Sequence, residues 1–283
     1  MHSHTALTIA EGRIGTASAT AKLDADVLLR FATSRRPIAR CDPQSILSPA
    51  ELDRFQRLVD RRRHGEPVAY LIGEREFWSL SLRVSPATLI PRPDTERLVE
   101  QALTRVPANA CYTIADLGTG CGAIALAIAH ERPSCRVFAT ERSVAALEIA
   151  RANAQRLAIS NVTLRAGNWY APLHSERFEL IVANPPYVAS DDPHLAHSDV
   201  RHEPRLALDG GADGLVALRI VVANAWQHLL TNGWLMVEHG YDQGAAVRHM
   251  FNAHDYAHVQ TYQDLAGIDR VTEGCRGVGH RSR

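Results

Sequence analysis

The sequence predicts an α/β fold: a mostly parallel sheet covered by helices on both faces, preceded by a small helical domain. Two observations predict the sheet. From residue 110 onward, short apolar runs alternate with helical patterns, as in parallel strands joined by crossover helices. A glycine-rich turn sits where the first of those runs gives way to a helix, the place where such sheets bind ligands. A third observation predicts the domain in front of it. Residues 1–75 carry apolar positions at helical spacing and no strand-like alternation.

Along that first part, Asp24-Ala25-Asp26 precede Val27, Leu28, Leu29 and Phe31. Ser48-Pro49-Ala50-Glu51 is a helix start, with Ser48 as N-cap, Pro49 at the first helical position and Glu51 completing a capping box. The helix it opens places Leu52, Phe55, Leu58 and Val59 on one face and Arg54, Arg57 and Arg61 on others. Arg61-Arg62-Arg63-His64-Gly65 reads as its solvated, cationic last turn, which suits the helix dipole. Residues 76–94 form a β-hairpin linker: Phe77, Trp78, Leu80, Leu82 and Val84 suggest short strands, and Pro86, Pro91 and Pro93 hold the next segment extended. A helix begins near Asp94-Thr95-Glu96 and opens the second domain, residues 95–283.

In that domain strands are expected over 112–117, 136–140, 162–165, 178–183 and 234–238. Helices are expected over 123–131, from the cap Ser143 to about Leu157, over 215–230 and over 244–253. No internal repeat interrupts the pattern.

Composition narrows the function classes. The chain has 283 residues, 46% of them apolar and 22% charged, ordinary values for a globular protein with a sizeable core. Its 31 basic and 31 acidic side chains cancel, which argues against a protein that lives on phosphate neutralisation. Lys22 is the sole lysine, a compositional bias without functional content. Cys41, Cys111, Cys121, Cys135 and Cys275 are scattered and form no C-x-x-C pair, so a reducing cytoplasm is expected rather than a disulfide framework. The fourteen histidines make no H-E-x-x-H pattern, and no metal is expected. Neither a signal peptide nor a membrane span is read from the sequence.

The chemistry-bearing residues fall at the ends of successive strands. Asp116-Leu117-Gly118-Thr119-Gly120-Cys121-Gly122 is a G-x-G-x-G turn, distinct from the G-x-G-x-x-G of nicotinamide enzymes. Glu141 ends the second strand, where a carboxylate can accept hydrogen bonds from both hydroxyls of a ribose. Asn168 and Trp169 follow the third strand and offer an amide and an indole beside an adenine. Singly each has a bland reading, a strand end or a core aromatic; in this order they resemble the nucleoside site of class I, Rossmann-like S-adenosylmethionine methyltransferases.

After the fourth strand comes Asn184-Pro185-Pro186-Tyr187. Two prolines remove two N–H donors, so the loop presents acceptors. The Asn184 side-chain oxygen and the Pro185 carbonyl can each accept a hydrogen of a planar NH₂ group, with Tyr187 as an aromatic surface beside it. An amide nitrogen is a poor nucleophile, and two acceptors orient it and stabilise the positive charge that develops on methylation. No strong general base is needed.

Amides, adenine N6 and cytosine N4 all present such a group, and segments elsewhere separate them. Arg62-Arg63-His64-Gly65-Glu66-Pro67-Val68-Ala69-Tyr70-Leu71-Ile72-Gly73, Glu76-Phe77 and Leu89-Ile90-Pro91-Arg92-Pro93-Asp94-Thr95-Glu96 resemble the release-factor glutamine methyltransferase (HemK/PrmC) family. So do Asp192-Pro193-His194-Leu195, Asp199-Val200-Arg201-His202-Glu203-Pro204 and Glu238-His239-Gly240. The resemblance implies N5-methylation, from S-adenosyl-L-methionine, of the glutamine in the Gly-Gly-Gln motif of class-1 peptide chain release factors. It also implies that Gly118, Thr119, Gly120, Cys121, Gly122, Glu141, Trp169 and Asn184 bind the cofactor, and that Asn184, Pro185, Pro186 and Tyr187 hold the glutamine. Three features depart from the family: Asn168 where aspartate is common, Glu141 where aspartate is frequent, and a glycine- and arginine-rich tail, residues 273–283, where a final strand is expected. The last residues of that tail are expected to be disordered. The helical domain is expected to recognise the rest of the substrate.

Three other readings remain: a glutamine methyltransferase for a ribosomal protein, an adenine-N6 nucleic-acid methyltransferase, and a non-catalytic module that only binds the nucleoside. The Ile90–Glu96 segment favours release factors over ribosomal proteins. Zero net charge and the lack of a basic target-recognition insertion speak against nucleic acid. An intact Asn184–Tyr187 loop speaks against mere binding.

Overall fold

The computed structural model describes residues 1–33, 45–196 and 198–277. They divide into two compact units, residues 1–74 with 196–203, and residues 75–195 with 204–277.

The smaller unit holds helices α1 (Ser3–Ile14), α2 (Ala21–Ala32), α3 (Pro49–Arg63) and the short α4 (Val68–Ile72). Its core joins Ala6, Ala10 and Ile14 of α1 to Leu28 and Leu29 of α2 and Phe55, Leu58 and Val59 of α3. The capping box opens α3 as expected: Ser48 Oγ accepts from Glu51 N at 3.3 Å and Ser48 N donates to the Glu51 carboxylate at 2.8 Å. The end of α3 departs from expectation at one residue. Arg61 and Arg63 are exposed, but Arg62 is buried. Its Nε donates to Asp24 and its Nη1 to Asp199, each at 2.7 Å. Helical spacing explains this, because Arg62 lies three and four residues beyond Val59 and Leu58, on the face that packs inward.

The larger unit begins with the hairpin β1 (Glu74–Phe77) and β2 (Leu80–Arg83). Trp78 and Ser79 both take positive φ, 52° and 58°, the pair of conformations a two-residue hairpin turn demands. After β2 come α5 (Glu96–Arg105), β3 (Thr113–Leu117), α6 (Ala123–Glu131), β4 (Arg136–Glu141), α7 (Val144–Arg156), β5 (Val162–Ala166) and β6 (Phe178–Ala183). Then follow α8 (Val216–His228), β7 (Leu229–Glu238), α9 (Gly244–Ala253), β8 (Ala257–Gln263) and β9 (Asp269–Cys275). The hairpin is fastened to α7 by the buried Asn153, which exchanges hydrogen bonds with Arg83 N and O and donates to Cys121 O.

The seven strands run in the order β5-β4-β3-β6-β7-β9-β8. All neighbours from β5 to β7 are parallel, and β9 pairs antiparallel with both β7 and β8. Alternate residues face opposite sides. Ala115, Leu117, Ile181, Ala183, Leu235 and Val237 pack with Leu218, Val221 and Val222 of α8 and Val247 and Phe251 of α9. On α6, Ala123 through Ala129 are all buried. Strand β7 starts five residues earlier than its apolar pattern suggests, because Leu229 pairs with Phe178 and ends α8 there.

The expected break of pattern after residue 272 is not what the chain does. Residues Val271–Cys275 are fully buried in β9, Gly274 included. A Cβ there would lie 2.5 Å from the Phe251 ring, so glycine is what lets α9 pack on the strand. The expectation for the last residues, 278–283, falls outside the described part.

Candidate active site

The sheet reverses its order between β3 and β6: β4 and β5 follow β3 on one side, while β6 and β7 lie on the other. Ligands bind at such a switch point, beyond the carboxyl ends of the strands. Register places the ends together. Leu117 pairs with both Thr140 and Ala183, Glu141 pairs with Ala166, and Ala183 pairs with Val237. The glycine turn, Glu141, the Asn168-Trp169 pair and Asn184 therefore leave neighbouring strands at one level. They border a cavity of about 430 Å³, within the roughly 300–1,000 Å³ of small-molecule sites.

Gly118 and Gly120 make the turn, with φ of 76° and 58°. Gly118 N and Thr119 N both donate to Thr140 O at 2.9 Å, which ties the turn to β4. A Cβ on Gly118 would sit 3.1 Å from the Trp169 indole, and one on Gly120 would meet no protein atom within 4 Å. The first glycine admits the indole beside the turn; the second keeps open space where a ligand can approach the backbone.

Glu141 is held by backbone donors on both sides. Its Oε2 accepts from Gly120 N at 2.9 Å and its Oε1 from Ser143 N at 2.7 Å. A carboxylate has about four lone-pair sites, so each oxygen keeps one for a ligand hydroxyl. Trp169 lines the cavity and also packs against the core of the sheet.

Not every residue expected at the site faces the cavity. Gly118, Gly120, Glu141, Trp169, Asn184 and Pro186 line it. Thr119 is buried behind the turn, where its hydroxyl donates to Asp116 Oδ2 at 2.6 Å. Burial outweighs that bond and one from Ala125 N and pushes the Asp116 carboxyl up to about 7. Cys121 is buried, its thiol pushed up to about 12 by desolvation. Gly122 caps α6 with φ of 92°. Pro185 is buried, and Tyr187 turns from the cavity to donate its hydroxyl hydrogen to Glu238 Oε1 at 3.2 Å.

The Asn184 amide donates through Nδ2 to Thr95 Oγ1 at 3.2 Å, which leaves its oxygen as the acceptor available to the cavity. Its loop is braced from outside by residues 208–211. Val188 N donates to Leu208 O, and Gly210 N to Val188 O at 2.7 Å. A Cβ on Gly210 would lie 2.8 Å from Pro186 O and 2.6 Å from Gly214 O, so only glycine allows that approach. Sequence reasoning about the site missed this brace, the apolar wall of Val216, Ala217 and Ile220, and the polar side chains of Thr95 and Glu238. The last two lie in segments that carry the family resemblance, the one signal that singles them out.

The fold and this strand-end cavity define a class I methyltransferase. Residues 98–224 match the methyltransferase small domain family and residues 5–73 the PrmC N-terminal domain family. The chain is 56% identical over 232 residues to a release factor glutamine methyltransferase of Xylella fastidiosa, with 82% of this chain and 84% of that one covered. It is 50% identical over 258 residues to a release factor glutamine methyltransferase of Pseudomonas aeruginosa, covering 91% and 93%. The chain belongs to the release factor glutamine methyltransferase family. Among solved structures, a methyltransferase of Pyrococcus furiosus shares the fold with a TM-score of 0.54 at 19% identity, over 70% of this chain and 90% of that one.

Proposed function

We propose that this chain binds S-adenosylmethionine in the cavity and transfers its methyl group to the side-chain nitrogen, N5, of the glutamine in the Gly-Gly-Gln motif of class-1 release factors. One observation carries the reading: the pairing of β3 with β6 sets the glycine turn and Asn184 side by side on one cavity. The residues present fit the cofactor. Glu141 has lone pairs free for two ribose hydroxyls, Asn168 and Trp169 flank the position of a base, and Gly120 leaves room against the backbone.

When bound, the cofactor supplies an electrophilic methyl carbon on a sulfonium. The chain's part is to place the amide. Asn184 Oδ1 accepts one hydrogen of the glutamine NH₂, and the Pro185 carbonyl is assigned the other, since the two prolines leave the loop without competing donors. Held so, the nitrogen is oriented, electron density is drawn toward it, and the positive charge that develops on it is stabilised. The cofactor would supply the methyl carbon and its thioether as leaving group, and the amide would give up one proton to solvent.

The helical unit is assigned the recognition of the rest of the factor. A single glutamine offers far less than the ~800 Å² per partner of a specific protein contact, and Arg54 and Arg57 are exposed on α3. The cytoplasm suits the substrate and the free thiols of Cys111, Cys121, Cys135 and Cys275. Among the described residues no helix is long and apolar enough to cross a membrane, and no side-chain cluster could hold a metal.

Incubation with labelled cofactor, a class-1 release factor, ribosomal proteins and nucleic acid tests the activity. A gain of about 14 Da on the glutamine of the release factor, located by peptide mass spectrometry, is expected. Label on a ribosomal protein or on adenine instead would overturn the assignment. Recognition by the helical unit predicts that Arg54→Ala with Arg57→Ala lowers kcat/KM on the intact factor about tenfold. The same pair of changes should leave methylation of a short Gly-Gly-Gln peptide alone.

A further inference from the structure

Glu238 is a buried carboxyl that the mechanism above does not use, and its surroundings tie it to the reacting amide. Because Ala183 pairs with Val237, the next residues, Asn184 and Glu238, leave their strands side by side. Thr95, in the turn before α5, joins them: it accepts from Asn184 Nδ2 at 3.2 Å, and its hydroxyl favours the ionised form of the Glu238 carboxyl. Tyr187, at the end of the same loop, donates to Glu238 Oε1. Its backbone oxygen accepts from Gln243 Nε2 at 2.9 Å.

We propose that Glu238 is a positioning residue for methyl transfer, acting through Thr95 to keep the Asn184 amide turned with its oxygen toward the cavity. The inference rests on the proposed transfer to a glutamine amide. A threonine hydroxyl has one hydrogen to donate, and a carboxylate only accepts. With Glu238 ionised, that hydrogen goes to the carboxylate, and Thr95 Oγ1 shows a lone pair to Asn184. The asparagine must then answer with its NH₂ group, which directs Oδ1 outward as an acceptor. A neutral carboxyl or amide at position 238 also has a donor, and when that donor faces Thr95 the chain reverses. The hydroxyl hydrogen swings toward Asn184, the amide turns over, and two donors face the donors of the substrate.

The orientation therefore depends on the charge of Glu238. Burial pushes its carboxyl up to about 7, against the hydrogen bonds from Thr95 and Tyr187 and the nearby Arg270, while Asp94 adds to the rise. Asp94, Tyr187 and Arg270 are the groups that face it from the turn, the loop and β9, and Arg270 is itself paired with Asp94 and Asp264, each at 3.1 Å. The adjacent His239 is pushed down by burial and bonded to Thr272. The carboxylate form prevails above the raised value, so turnover rises with pH through about 7. Burial behind the glycine turn raises Asp116 to the same range, so variants must separate the two.

The experiment measures kcat, KM for a release factor and cofactor affinity across neutral pH for the wild type, Glu238→Gln, Thr95→Val and Thr95→Ser. Glu238→Gln is expected to lower kcat about tenfold with KM and cofactor affinity unchanged, and to abolish its share of the acid limb. Thr95→Val should lose as much, and Thr95→Ser, which keeps the hydroxyl, should retain the rate. Wild-type kcat in a folded Glu238→Gln or Thr95→Val enzyme overturns the proposal, and so does a slow Glu238→Gln enzyme that keeps the full acid limb. Should Glu238→Gln fail to fold, the Thr95 pair decides alone. A wild-type enzyme inactive on release factors instead refutes the proposed function; an active one with indifferent variants refutes only the role of Glu238.

Discussion

Two glutamates end strands on opposite sides of the β3–β6 pair, and they are held by different kinds of neighbour. Glu141, at the cofactor end, accepts from the backbone N–H groups of Gly120 and Ser143, both on loops that leave β3 and β4. Glu238, at the end of β7, accepts from the Tyr187 hydroxyl beside the Thr95, Asp94 and Arg270 side chains, and its Oε2 is buried with no hydrogen-bond partner among the described residues. Backbone donors are there whatever the side chains, so the cofactor end is built from turn geometry. The amide end is built from side chains brought from three separate segments, the turn before α5, the loop after β6 and the end of β7. The first arrangement depends on the backbone, the second on the identity of each side chain.

Removing that acceptor breaks the comparison most directly. Asn184→Ala should lower turnover on the order of 10²–10³ while cofactor affinity stays near normal, since one orienting acceptor is lost and the cofactor end is untouched. Single-turnover kinetics with parallel calorimetry reads both, and near-normal turnover would show that the amide is held elsewhere.

The reciprocal change is Glu141→Ala. It removes a carboxylate that takes two backbone bonds and offers two more lone pairs, so roughly 1.5–3 kcal/mol of cofactor binding should go, about tenfold or more in affinity. At saturating cofactor, kcat should recover most of its value. Unchanged affinity by calorimetry sinks the ribose assignment.

A subtler effect is expected at the brace. Gly210→Ala forces a Cβ against Pro186 O and Gly214 O, both backbone atoms that cannot swing aside. The Asn184 loop must shift, and turnover should fall about tenfold with cofactor affinity unchanged. A normal rate would mean that the loop is held from within.

The smallest effect lies in stability. Each end hides one carboxyl raised to about 7, Asp116 and Glu238, from ordinary values of 3.8 and 4.5. The folded protein then binds more protons than the unfolded chain between those ordinary values and about 7. Their contribution is therefore present in acid, declines as pH rises through that window and is flat above it. Asp116→Asn and Glu238→Gln should each remove part of that decline in denaturant midpoints taken across pH. A decline that survives both changes would place its source in other groups.

How much of this was legible in the sequence depends on the range of the interaction. The capping box at Ser48, the helix over 123–131 and the strand over 178–183 are written in neighbouring residues, and the structure places them there. Arg62 was misread as solvated because its partners, Asp24 and Asp199, are 38 and 137 positions away. The close of the sheet was misread because Gly274 and Arg276 look like tail composition until Phe251 is seen packed on the strand.

By itself the sequence determined which residue types end each strand: glycines after β3, a carboxylate after β4, an amide and an indole after β5, and an acceptor loop after β6. Those signals survive in one dimension because turn geometry and capping act over a few residues. Only the tertiary structure decided which side chains reach the cavity. Parallel pairing joins residues far apart in the chain, and a difference of one residue turns a side chain to the other face. That is why Thr119 and Tyr187, inside the glycine and Asn184–Tyr187 motifs, serve buried carboxyls, while Thr95, far away in the sequence, is the partner of the Asn184 amide.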